Sequence, residues 1–192
     1  VEKVKKPEIR DGFRFRGGHV ALDLAGTLAA RLKPSPRELL AHPSDLARWL
    51  IAAEVTDAIP DVTQADVALA RTLRESIYSL ALARIHRKAL PDEARRKLNR
   101  FAAAASAAPQ LGKDSRIHIS GKTQELLASI ARDAIVLFGS ETGTRLRQCE
   151  GESCALLFLD TSRSGERRWC SMSGCGNKSK IAEFRRRQRL NP

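Results

Sequence analysis

Apolar residues recur at helical spacing in two long segments of this chain. From Ala65 to about Arg87, Leu69, Leu73, Ile77 and Leu80 fall four and three residues apart, which makes one stripe of a helix. Thr63-Gln-Ala-Asp66 stands at its start as a capping box with Asp in place of Glu. From Thr123 to Phe138, Leu127, Ile130, Ala131, Ala134 and Phe138 form a second stripe, which Gly139 ends. Between them Pro91 begins a further helix carrying Leu98 and Phe101, which fades into alanines before Pro109. Ser44 sits in N-cap position for a shorter helix through Leu46, Trp49 and Leu50, with Trp49 as a core plug.

The strand signals are shorter. Residues 1–10 are charged and lack an apolar period, so they read as an arm or a frayed strand. Phe13-Arg-Phe15-Arg alternates, Gly17-Gly18 is a turn pair, and His19 to Leu24 is apolar. This predicts a strand–turn–strand hairpin near 13–24, with a short helix or loop at Gly26-Thr27. Pro34-Ser-Pro36 is a break before a helical turn over Arg37–Leu40. Ser115 to Ile119 alternates and predicts a strand that pairs with the N-terminal hairpin. Residues 1–140 therefore read as an α+β, predominantly helical domain with a small sheet. The polar linker at Ser140–Thr144 is short enough to attach the C-terminal segment rigidly.

That C-terminal segment, residues 145–192, holds all four cysteines of the protein as two C-x4-C pairs, Cys149 with Cys154 and Cys170 with Cys175, fifteen residues apart. Two tight loops separated by a hairpin length suit a tetrahedral site of four thiolates at about 2.3 Å from one structural zinc ion. Two disulfides are the competing reading. They suit small secreted domains without a core, whereas this chain shows no secretory leader as it stands and has the Leu, Ile, Val and Ala for a core. Thr144–Gln148 reads as a strand, Leu156–Leu159 as a second, and Arg167–Trp169 as its return after a turn at Ser162–Gly165. The Cys170–Cys175 loop then opens a final helix. Knuckle, hairpin and helix-start ligands are the order of a treble-clef-like zinc finger.

Charge changes what this finger is expected to meet. The chain carries a net charge of +12, and residues 145–192 hold eleven Lys/Arg against five Asp/Glu. Such a balance favours a polyanion, nucleic acid first and an acidic membrane surface second. At about 100° per residue, Asn177, Ile181, Phe184 and Gln188 share one side of the last helix. Ile181 and Phe184 are expected to pack on the hairpin, and Asn177 to hydrogen-bond the ligand loops. Lys178, Ala182, Arg185, Arg186 and Arg189 form an outward stripe suited to phosphates. Arg163, Arg167 and Arg168 are secondary phosphate candidates. With Lys178 they could instead offset the net −2 charge of four thiolates around Zn²⁺.

Residues 160–178, including Arg-Arg-Trp-Cys-Ser-Met-Ser-Gly-Cys-Gly-Asn-Lys, resemble the CGNR zinc finger of bacteria, whose name-giving run stands here as Cys175-Gly176-Asn177-Lys178. Lys178 occupies the family's arginine position and replaces a bidentate fork by a point charge. Gly18-His-Val-Ala-Leu-Asp-Leu24 and the helical body resemble the ABATE domain that accompanies this finger, with Gly26-Thr27 where that domain more often has Asn-Thr. The resemblance implies a stress-induced transcription regulator, bacterial in type, whose finger binds DNA.

Other chemistry is not announced. His19, His42, His86 and His118 share no ligand spacing, and only His19, beside the glycine pair, stands near a predicted turn. No phosphate-cradling loop, nucleophile elbow or H-E-x-x-H occurs, and a site of four thiolates leaves no open metal position, so no enzyme is expected. No apolar run approaches the length needed to span a bilayer. The expectation is a cytoplasmic regulator of double-stranded DNA, with residues 1–140 sensing a small molecule or forming a homodimer. The alternative is a finger that docks a protein or an RNA; scarce aromatic residues for base stacking count against RNA.

Overall fold

A computed structural model of the chain describes residues 8–190, with side chains through Gln188. Of the arm or frayed strand expected over residues 1–10, residues 1–7 lie outside the described residues, as does the Arg189 side chain. Six helices and four separate two-stranded antiparallel sheets are formed among those described.

The first sheet pairs β1 (Ile9–Arg10) with β2 (Phe13–Arg14). Its turn is Asp11-Gly12, with positive φ at both residues (47° and 79°), the two-residue connection whose twist matches that of the strands. The expected hairpin across Gly17-Gly18 does not form. Residues Val20–Ala25 are instead a helix, α1, in which Ala21 to Ala25 are all buried. A short apolar run buried on every side has no period to tell strand from helix. Local bonds decide: Asp23 N–H donates to the His19 carbonyl, and Gly17 N–H donates to the Asp23 carboxylate at 2.8 Å. The helical turn expected over Arg37–Leu40 is likewise absent; β3 (Leu28–Ala29) pairs with β4 (Arg37–Glu38).

The body is built on α3 (Gln64–Ile85), which touches α1, α2 (Pro43–Ala52), α4 (Asp92–Ala103) and α5 (Thr123–Gly139). Leu73, Ile77 and Leu80 of its expected stripe are buried, together with Val67 and Ala70, while Leu69 is half-buried. The capping box closes as expected: Thr63 N–H donates to Asp66 Oδ2 at 3.0 Å and Asp66 N–H to Thr63 Oγ1 at 3.2 Å. Trp49 is fully buried. Its helix starts two residues earlier than expected, with His42 and not Ser44 at the N-cap and the Asp45 carboxylate accepting His42 N–H at 2.9 Å. A buried charge inside the body is paired. Arg74, 4% exposed, makes a bidentate pair with Glu38 at 2.7 and 2.8 Å.

The strand read at Ser115–Ile119 forms as β6 (Ile117–His118), but its partner is β5 (Gln110–Leu111) and not the N-terminal hairpin. After α5 the expected linker winds into a 3-10 turn, Glu141–Arg145, and leads to β7 (Leu146–Gln148), which pairs with β8 (Leu157–Leu159). The side chains of β8 alternate. Leu157 joins the helical core, as does Leu146 of β7, whereas Phe158 packs with Cys149 and Cys170 on the other side. Leu159 N–H donates to the Gly17 carbonyl at 2.8 Å. One hydrophobic core thus runs across the linker. Among the described residues no helix is long and apolar enough to cross a membrane.

Candidate metal centre

Two turns bring the cysteines together. Cys149 follows β7 directly, and its N–H donates to the Leu156 carbonyl at 2.9 Å, while Cys154 N–H donates to the Gly151 carbonyl at 2.8 Å. Gly151 permits this close fold, because a Cβ there would stand 3.1 Å from Cys175 Sγ and 3.2 Å from Cys154 Cβ. The second pair is spaced by a wide π turn, Met172–Gly176, in which Ser171 Oγ accepts Gly174 N–H at 3.2 Å. The segment Arg167–Trp169, expected as a strand, forms no ladder; among the described residues its backbone-to-backbone bond is Glu150 N–H to the Arg168 carbonyl at 3.0 Å. Arg167 and Trp169 are half-buried, and β8 already has its partner in β7.

The four Sγ atoms lie within 4.8 Å of one another, and no pair is a disulfide. Cys154 and Cys170 sulfurs are 3.9 Å apart, and those of Cys170 and Cys175 are 3.7 Å apart. A tetrahedron with metal–sulfur bonds of about 2.3 Å has edges of about 3.8 Å, so the residues fit one zinc ion. Their ionisation also calls for a cation. Hydrogen bonds from the neighbouring thiols and from Cys170 N–H (3.3 Å) push Cys149 down to about 2. The thiolate so formed pushes Cys154 up to about 11 and Cys170 up as well, since a second anion would sit beside the first. Four thiolates together need the dication. Cys149 and Cys170 are buried and Cys154 and Cys175 half-buried, so an ion held by them would be shielded from solvent. With four thiolate ligands it is structural.

Around the sulfurs, Arg167 turns inward. Its Nε donates to the Trp169 carbonyl at 2.9 Å, an Nη donates to the Cys170 carbonyl, and the guanidinium lies over the Phe158 ring. Arg168 pairs with Glu150 at 2.6 Å. Arg163 is exposed and has no ion-pair partner among the described residues. Asp160 is a site residue to which the sequence pattern assigned no role. Fully buried, it accepts from Ser162 N–H (2.9 Å), Ser162 Oγ–H (2.6 Å) and Arg167 N–H (2.9 Å), which fixes the loop entering Cys170. Ser at two residues beyond an Asp is the turn signal that could have found it.

The last helix, α6 (Asn177–Leu190), departs most from expectation. Ile181 and Phe184 do not pack on the hairpin; they are 51% and 60% exposed. Asn177 and Gln188 are exposed too, and no residue from Ile181 to Gln188 is buried. An amphipathic pattern needs an acceptor surface, and the face of the hairpin that would supply one is already filled by Phe158 and the ligand loops. Lys178, Arg185 and Arg186 stand on the exposed helix as expected. Arg186 and Arg187 approach Glu183 at 3.4 and 3.0 Å. Lys180 and Arg187, outside the expected contact set, add charge on the opposite flank.

Residues 18–141 match the family model ABATE, described as "Putative stress-induced transcription regulator", and residues 145–188 match the CGNR zinc finger. No curated protein matches the chain.

Proposed function

We propose that this chain, which belongs to the ABATE family and ends in a CGNR zinc finger, is a transcription regulator that holds double-stranded DNA with α6. One observation carries the reading. A helix with six Lys/Arg against one Glu leaves the metal centre exposed on all sides from Ile181 to Gln188. Lys178 and Arg185 have no ion-pair partner among the described residues, so their charge is available to phosphates. The zinc ion fixes the start of the helix and takes no part in chemistry, and no catalytic role is assigned to the chain. The helical body is the seat of effector binding or of pairing with a second copy, and the protein works in the cytoplasm beside its DNA.

Titration of the zinc-loaded full chain with a duplex at several salt concentrations tests this. Affinity is expected to fall linearly on a log–log plot, with a slope of about −0.9 per phosphate contact. Arg185→Ala with Arg186→Ala should flatten that slope. Binding that ignores salt would refute the reading. The exposed Ile181 and Phe184 favour a second one, in which α6 docks into a groove of another protein. Retention of a partner protein with no affinity for duplex DNA would decide for it.

A further inference from the structure

The exposed side of α6 that was expected to face inward has an order of its own. At about 100° per residue, Asn177, Ile181, Phe184 and Gln188 fall within an arc of about 60°. Lys178 and Arg185 border that arc on one side, and Lys180 and Arg187 border it on the other. Two carboxamides and two apolar side chains therefore form a ridge between two rows of cations. All four ridge residues are exposed.

A helix of about 10–12 Å diameter fills a B-form major groove of about 12 Å width, and its ridge then faces the base edges while its flanks face the two phosphate walls. Carboxamides of Asn and Gln pair with the N6 and N7 edge of adenine, and apolar side chains pack on the thymine methyl group. Neither type suits the guanine edge, for which Arg is the usual partner. The row charges also select the occupant: an apolar helix groove in a protein would have to neutralise cations on both of its rims.

We infer that Asn177, Ile181, Phe184 and Gln188 are the base-reading edge of α6, and that they select sites rich in A·T pairs. The inference rests on the DNA reading of α6 and adds to it the residues that carry sequence preference. The cations grip; the ridge discriminates.

The test is selection from a randomised duplex library with the zinc-loaded full chain, followed by binding to the recovered site with uracil in place of individual thymines. Uracil removes only the methyl group. The recovered site is expected to be A·T-rich. Loss of one contacted methyl should weaken binding roughly threefold, and Phe184→Ala or Ile181→Ala should abolish that sensitivity. Asn177→Ala should cut discrimination against a mismatched pair by roughly fivefold to a hundredfold. The salt slope should stay unchanged in all three variants, because no phosphate contact is removed. These side chains are exposed, and zinc stoichiometry with helical circular dichroism verifies that each variant is folded.

Selection of a G·C-rich site, or variants that recover the same site with the same uracil response, would overturn the inference and leave DNA binding standing. Salt-dependent binding with no enriched sequence would overturn it equally. Failure to bind any duplex would overturn the DNA reading itself.

Discussion

The guanidinium of Arg167 lies 4.7 Å from the centroid of the Phe158 ring, pressed between that ring and the carbonyls of Trp169 and Cys170. It thereby ties the Cys170 loop to the Phe158 ring of the metal-centre cluster. Arg167→Ala should therefore weaken zinc retention roughly tenfold to a hundredfold, measured by competition with a chromogenic chelator. Arg167→Lys keeps the charge but cannot serve two carbonyls and a ring at once, and should recover only part of the loss. Arg163→Ala, at an exposed position, should leave zinc affinity unchanged.

Glycine at position 151 has a steric reason and not a conformational one. Gly151→Ala would place a methyl group 3.1 Å from Cys175 Sγ and 3.3 Å from Cys175 Cβ, so the ligand pair must spread. Zinc retention should fall roughly tenfold. Gly139→Ala, where an added Cβ meets nothing within 4 Å, serves as the control and should leave zinc binding unaltered.

Leu157 couples the two halves. Fully buried in the helical core, it neighbours Phe158 of the metal-centre cluster. Leu157→Ala should cost about 2–5 kcal/mol of global stability, read by denaturant unfolding. The same variant should lose zinc more readily, because β8 carries both residues. A loss of stability with zinc affinity untouched would show that the halves respond separately.

His118 ties the β5–β6 hairpin to the loop before α3. Its Nδ1 stands 2.5 Å from Asp57 Oδ2 and its Nε2 stands 3.1 Å from Asp114 Oδ1. Asp114 first, and Asp57 with it, hold the imidazole above its ordinary value, while hydrogen bonds from His118 hold both carboxyls below theirs. The histidine's contribution is thus complete below about 6.5 and fades as pH rises through its raised folded value. The aspartates' contribution fades as pH falls through their depressed values. Amide exchange of Ile117 and Ile119 should accordingly be slowest in mildly acidic solution, and His118→Ala should remove the alkaline limb of that profile.

Sequence patterns make some of these features legible and hide others for physical reasons. The stripe on α3 and the Thr63–Asp66 cap are readable because helical period and capping chemistry are local. The metal centre is readable because its ligands are chemically rare and regularly spaced. The N-terminal hairpin is misplaced by the Gly17-Gly18 pair, although Asp11-Gly12 is the stronger turn pair for a two-residue connection. The helix Val20–Ala25 is hidden by its own burial, which erases periodicity. The exposure of Ile181 and Phe184 cannot be read at all. Whether an apolar stripe finds a surface depends on which residues have already filled it, and here Phe158 has.

The alternation of Leu157 and Phe158 along β8 also sets a rule for protein engineers. Residues 142–144 look like a natural seam for exchanging fingers between regulators. A cut there would strip Leu146 and Leu157 of their cover on one fragment and leave a hole in the other. A chimera that is to fold must carry the Gly17 edge along with the finger, or be given a matching one. In this protein the finger is a wall of the house and not a room added to it.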